Sequence, residues 1–153
     1  MKLTNITKLF FVIIVAATIT SCDLFEKADN SYQGPPKVEF TPLSDLVQLG
    51  PEEKATVTVT AQLIGEQRSA ALEFGVEVVD SLTTAVEGDH YSLPSNTVTI
   101  PADSSSANYA INVMGNKLSP DQTVKLAIEL QAADNVEPAQ NLKTYTLTLQ
   151  GAD

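Results

Sequence analysis

From Lys37 to the C-terminus, apolar and polar side chains alternate one by one, and this period of two most constrains what the chain can fold into. Successive side chains of an extended strand point to opposite faces, so an alternating run buries one face and wets the other. Residues 55–63 place Val57, Val59, Ala61 and Leu63 on one side and threonines on the other. Residues 72–79 do the same with Leu72, Phe74, Val76 and Val78, and residues 96–100 with Val98 and Ile100. Tyr109, Ile111 and Val113 follow, then Val124, Leu126, Ile128 and Leu130, then Tyr145, Leu147 and Leu149. With Val38 and Phe40 this makes about seven strands, rich in β-branched residues and punctuated by Gly, Pro, Asn, Asp and Ser. After the N-terminal segment no stretch sustains the i, i+3, i+4, i+7 spacing of a helix. The predicted class is all-β, an antiparallel immunoglobulin-like sandwich over residues 37–153. The chain has no Trp and one Cys, so the Cys…Trp…Cys pin of antibody domains is missing and the core must rest on aliphatic packing.

The N-terminus follows a different rule. Lys2 and Lys8 are the only charges before Asp23, and residues 9–17 form an apolar run that breaks at Thr18, Thr20 and Ser21. A membrane-spanning helix needs about 20 apolar residues, so a cleaved signal peptide, residues 1–21, is the better reading. Ile19-Thr20-Ser21-Cys22 has the order of a bacterial lipobox: an aliphatic residue, two small residues, and a cysteine whose thiol takes a diacylglyceryl group. Cys22 is the only cysteine, which excludes an intramolecular disulfide. It is therefore predicted to be the lipid-modified first residue of the mature chain. Two or more acyl chains hold a protein firmly where one is marginal. Residues 22–36 end in Gly34-Pro35-Pro36 and show no sustained period, which reads as a tether between lipid and domain.

The formal charge is −10. Loss of a signal containing two lysines and no acids makes the mature chain more negative still. Such a surface repels phosphate backbones, and no nucleic-acid partner is expected. The residues for catalysis are also missing. His90 is the single histidine, without a Gly-x-Ser-x-Gly motif, and one His with a lipidated Cys makes a poor zinc site. Glu73 and Glu77 share a strand face about 13 Å apart, too far for paired glycosidase carboxylates at roughly 5–9.5 Å. No Gly-rich phosphate loop is present. The chain is predicted not to be an enzyme and to carry no obligatory cofactor.

The most individual stretch runs from Glu87 to Met114. It opens with the turn Gly88-Asp89-His90-Tyr91 and continues through Ile100-Pro101-Ala102-Asp103 to a paired strand. Physically, Gly88 permits φ > 0, Asp89 can bond backbone N–H groups two residues on, and Tyr91 can bury its ring while its hydroxyl ties down a loop. With these residues in view, residues 55–130 resemble Calx-beta-like domains, especially those of Bacteroidota lipoproteins. Thr123–Leu130 resembles the family's later strand. Because that family includes calcium sensors, the resemblance makes Glu87, Asp89 and Asp121 candidate calcium ligands. Yet Met114-Gly115-Asn116-Lys117 stands where the family's sensors carry an acidic cluster, and calcium wants six to eight oxygens. The structural role of the turn is the favoured reading.

Together these features predict a non-enzymatic, lipid-anchored binding or structural module of the cell envelope. Its partners would be the membrane, through Cys22, and envelope proteins or glycans. Asp23-Leu24-Phe25-Glu26 resembles the acidic export signals of Bacteroidota lipoproteins, which would place it on the outer membrane, facing outward. Two alternatives stand beside this reading: an accessory glycan-binding protein of an outer-membrane uptake system, and a calcium-dependent adhesion domain.

Overall fold

The structure, a computed structural model, describes residues 32–153. The predicted signal peptide and Cys22 lie outside the described residues. Ten strands form two five-stranded sheets. They are β1 (Lys37–Thr41), β2 (Ser44–Leu49), β3 (Lys54–Ile64), β4 (Leu72–Val78), β5 (Tyr91–Ser92), β6 (Thr97–Ile100), β7 (Ser106–Met114), β8 (Thr123–Leu130), β9 (Glu137–Pro138) and β10 (Thr144–Gly151). One sheet has the order β5-β7-β3-β1-β9 and the other β2-β10-β8-β4-β6. The described residues contain no α-helix, only a 3-10 turn at Asp80–Leu82.

The seven predicted strands correspond to β1, β3, β4, β6, β7, β8 and β10. In β3 the inward residues Val59, Ala61 and Leu63 are buried while Thr56, Thr58 and Gln62 are exposed. Strand β10 buries Tyr145, Leu147, Leu149 and Gly151 in strict alternation. Facing side chains of both sheets make one core, and each buried Val, Leu, Ile or Phe contributes roughly 1.5–3 kcal/mol. Its largest members are Tyr145, Phe40 and Phe74, the first two meeting edge-to-face at 6.2 Å.

The sandwich differs from the prediction in two ways. Three further strands, β2, β5 and β9, extend the sheets, and two pairings are parallel: β1 with β9, and β10 with β2. The parallel pairing follows from the path of the chain. It leaves β1 in one sheet, crosses at Pro42 and Leu43, and continues in the same direction as β2 beside β10 in the other. Asp45 turns inward on β2 and accepts a hydrogen bond from the Tyr145 hydroxyl at 3.0 Å. A fully buried tyrosine needs such a partner. Burial pushes the Tyr145 hydroxyl up, and the hydrogen bond to Asp45 and its charge add to the shift.

Residues 32–36 are part of the same compact unit. The Tyr32 hydroxyl donates to Pro35 O at 2.9 Å, and Pro36 approaches Gly65. The chain thus enters the sandwich at Lys37, opposite Ile64 of β3.

Candidate functional site

At the other end of the sandwich four segments meet: the β2–β3 turn, residues 86–91 before and into β5, the β7–β8 loop, and the last residues of the chain. Backbone bonds join them. Met114 N–H donates to His90 O at 2.9 Å, Gly115 N–H to Glu53 O at 2.8 Å, Asp121 N–H to Gly151 O at 3.0 Å, and Ala152 N–H to Leu49 O at 2.8 Å. The approach is close enough to require glycine at 115, where a Cβ would stand 2.2 Å from Gly50 O.

The 86–91 turn closes on itself. Gly88 has φ +83°, and a Cβ there would meet nothing within 4 Å, so conformation rather than space selects glycine. Gly88 N–H donates to Tyr91 O and His90 N–H to Val86 O, both at 2.8 Å. Val86 N–H in turn donates to His90 Nδ1 at 2.8 Å. The Nδ1 atom of His90 is thus the side-chain acceptor that closes the turn. His90 is 7 % exposed, the one buried polar or charged residue among the described residues. Tyr91 buries its ring and pairs with Val113 of β7.

Electrostatically the turn bears on two tyrosines. Burial pushes the Tyr91 hydroxyl up, with the charges of Glu87 and Asp80 adding to it. Burial, then Glu87, pushes the Tyr109 hydroxyl up to about 12. The hydroxyl that ties down a loop is that of Tyr109, which donates to Ser95 O, and not that of Tyr91 as the sequence suggested. The polar anchor of the turn is likewise His90. The Asp89 carboxylate, expected to bond the backbone, has no hydrogen-bond partner among the described residues.

The calcium candidates are not assembled into a cage. Glu87 is exposed and Asp89 half-buried in the turn, while Asp121 is exposed in the β7–β8 loop with its N–H on Gly151 O. Among the described residues no three of His, Cys, Asp and Glu form a group that could hold a metal ion. Cys22 lies outside the described residues.

A shallow hollow of about 420 Å³ opens beside this end, on the outer face of β3, β5 and β7. Lys54, Ala55, Thr56, Ser92, Asn112, Val113 and Met114 line it. Thr56 Oγ1 donates to Asn112 Oδ1 at 3.2 Å, leaving the amide NH₂ of Asn112 to face solvent. Sequence reasoning missed it because Thr56 and Asn112 are ordinary outward positions of alternating strands. Only the register, which sets Thr56 opposite Asn112 and Asn112 opposite Ser92, makes them one surface. A second hollow of about 400 Å³ lies at the entry end, beside the ion pairs Lys37–Glu137 and Lys143–Glu129.

A family model described as a domain of unknown function (DUF4843) matches residues 47–151. Among solved structures, the chain is similar to the apo-form Calx CBD1 domain, at 16 % identity and a TM-score of 0.61, covering 78 % of this chain and 100 % of that one. It is similar to CBD12 from CALX1.2 at 17 % identity and a TM-score of 0.61, covering 75 % of this chain and 44 % of the other. A protein of unknown function from Bacteroides ovatus is similar at 18 % identity and a TM-score of 0.60, with 74 % and 44 % covered. The chain therefore spans less than half the length of the latter two. Likeness at these identities shows fold, and the fold is a Calx-beta-like sandwich. None of the curated proteins matches the chain.

Proposed function

The chain belongs to the DUF4843 family, and from that membership and its Calx-beta-like fold we propose that it is a lipid-anchored, non-enzymatic binding module of the cell envelope. The observation that carries the reading is the opposition of the chain's entry to the loop end. Covalent continuity from Cys22 enters the sandwich at Lys37, and the 86–91 turn and β7–β8 loop sit at the far end of the strands. A domain held by lipid at one end presents the other to its surroundings. The acidic surface supports solubility rather than adhesion to anionic headgroups. The partner class is envelope protein or glycan, and the location is the outer membrane, facing outward.

A specific observation favours the glycan alternative. The hollow beside the loop end carries the hydroxyl and amide groups of Thr56, Ser92 and Asn112, which can hydrogen-bond a polyol, beside Lys54 and the apolar Ala55, Val113 and Met114. Sugar-array binding that is lost in Asn112→Ala would establish an accessory glycan-binding role. The calcium-dependent adhesion reading has no such support, since the three candidate acids are not grouped.

The anchor is tested by Cys22→Ala in the full chain. The variant is expected to leave the detergent phase and the membrane fraction, because the thioether is the only attachment proposed. Retention in the membrane would end the lipoprotein reading. Protease treatment of intact cells then tests orientation, and full protection would count against an outward-facing domain.

A further inference from the structure

Each sheet of the sandwich ends in two edge strands. Three of the four are short: β5 and β9 have two residues each, and β6 has four. Strand β2 has six, Ser44–Leu49, and among the described residues it pairs on one side, with β10. The carbonyls of Leu43 and Leu49 accept from Thr146 N–H and Ala152 N–H, at 2.9 and 2.8 Å. Odd-numbered residues therefore turn their backbone groups toward β10. The N–H and C=O of Ser44, Leu46 and Gln48 turn away from it, toward the open side. An edge with free backbone donors and acceptors is a template for another strand, and proteins usually blunt it with lysine, proline, a bulge or an inward-pointing charge. Strand β2 carries the last of these, Asp45, whose carboxylate is engaged by the Tyr145 hydroxyl, and has no lysine, proline or bulge.

The side chains on this edge favour contact. Leu46 is 61 % exposed, the highest value among the exposed large hydrophobic residues, and neighbouring Leu43 is 39 % exposed. From Thr41 to Pro51 the single charge is Asp45, and it points inward onto the Tyr145 hydroxyl. On a chain of charge −10, copies repel one another over most of their surface. They repel least along this uncharged edge.

We propose that β2 is a self-association edge, on which a second copy of this chain adds its own β2 antiparallel about a two-fold axis through Leu46. This inference is independent of the lipid anchor and of any ligand at the loop end. The register is self-complementary. Ser44 faces Gln48 of the second copy, Leu46 faces Leu46, and Gln48 faces Ser44, and in each pair both residues have their backbone groups on the open side. Such hydrogen-bonded pairs exchange two bonds each, giving about six across the interface. Leu46 packs on its counterpart, no like charges meet, and the two five-stranded sheets become one continuous sheet.

The pairing would bring the two Leu46 Cα atoms to about 5.5 Å, within the 4.4–6.8 Å or so that a disulfide spans. The test is therefore oxidation of the full chain carrying Cys22→Ala and Leu46→Cys, where the introduced thiol is the only one. A disulfide-linked dimer is expected from this variant and not from Thr58→Cys, on the outer face of β3. Sedimentation across a concentration series gives the second readout. Leu46→Lys should weaken dimerisation by on the order of tenfold or more, since two charges would meet at the axis, with no change in melting at dilutions where both proteins are monomeric, because Leu46 is exposed in the single chain. The proposal is overturned if Thr58→Cys cross-links as readily, if the unsubstituted chain sediments as a monomer throughout, or if Leu46→Lys remains a dimer. Cross-linking of Leu46→Cys in cells to a different protein would likewise overturn the choice of a second copy.

Discussion

The 86–91 turn and the β2 edge stand in opposite relation to the sequence and to the structure. The turn is the most individual stretch of the chain, and its backbone groups are satisfied from within: by Tyr91 O, Val86 O and the ring nitrogen of His90. The edge reads as an unremarked stretch of sequence, and it holds a row of backbone groups facing no strand among the described residues. A distinctive motif thus marks a place where the chain has much to fix. Unspent bonding capacity is a property of position in the sheet, and no motif signals it.

The largest effect should come from breaking the turn's buried ring. Tyr91→Ala deletes an aromatic side chain that is 4 % exposed, a change that costs roughly 3–5 kcal/mol in a packed core. Denaturant unfolding measures it. A loss below about 0.5 kcal/mol, the usual size of a surface change, would mean that the turn is not part of the core and would erase the contrast with β2.

Next in size is His90→Ala. It removes the acceptor for Val86 N–H in a part-buried setting, and loss of a hydrogen bond of this kind costs about 0.5–1.5 kcal/mol. His90→Asn, whose side-chain oxygen can accept from a neighbouring backbone N–H, should recover part of the loss. Equal destabilisation by both variants would point to ring packing rather than the hydrogen bond.

High pH probes both regions at once. The hydroxyls of Tyr109, near Glu87 of the turn, and Tyr145, bonded to Asp45 of β2, are both raised above the usual value of 10.0, chiefly by burial. In the unfolded chain these phenols release their protons from about pH 10. The folded chain keeps them longer, in Tyr109 until about 12. Stability is therefore full below pH 10 and falls as pH rises through this window, because the unfolded state loses protons first. Melting points between pH 9 and 12 should decline, less steeply in Tyr109→Phe and in Tyr145→Phe. An unchanged slope in both variants would locate alkaline sensitivity elsewhere.

The same contrast explains what could be read in advance. Strands such as β3 and β10 were legible because one face is apolar and the other is threonine, so the period survives in the sequence. Strand β2 was not, because Asp45 faces the core and Leu46 faces solvent, which inverts the code at two adjacent positions. Strands β5 and β9 are too short to show a period. In the turn, the positive φ of Gly88 and the burial of Tyr91 follow from residue type. That His90 rather than Asp89 would anchor the backbone does not, because either side chain can accept a hydrogen bond and only the fold decides which one faces Val86 N–H.

The smallest expected effect concerns Asp89, whose carboxylate has no hydrogen-bond partner among the described residues. Asp89→Asn keeps the shape and removes the charge, so the folded state loses little, within about 0.5 kcal/mol as for other surface changes. If Asp89 instead held calcium with Glu87 or Asp121, metal at about 100 times its Kd would stabilise the unsubstituted protein by about 2.7 kcal/mol, and Asp89→Asn would abolish that gain. Thermal melts of both proteins, in EDTA and in excess calcium, separate the cases. The lack of a metal-holding group among the described residues predicts four coincident melts. A calcium-dependent rise that vanishes in Asp89→Asn would show that the turn, too, keeps bonding capacity in reserve. It would then resemble the β2 edge rather than contrast with it.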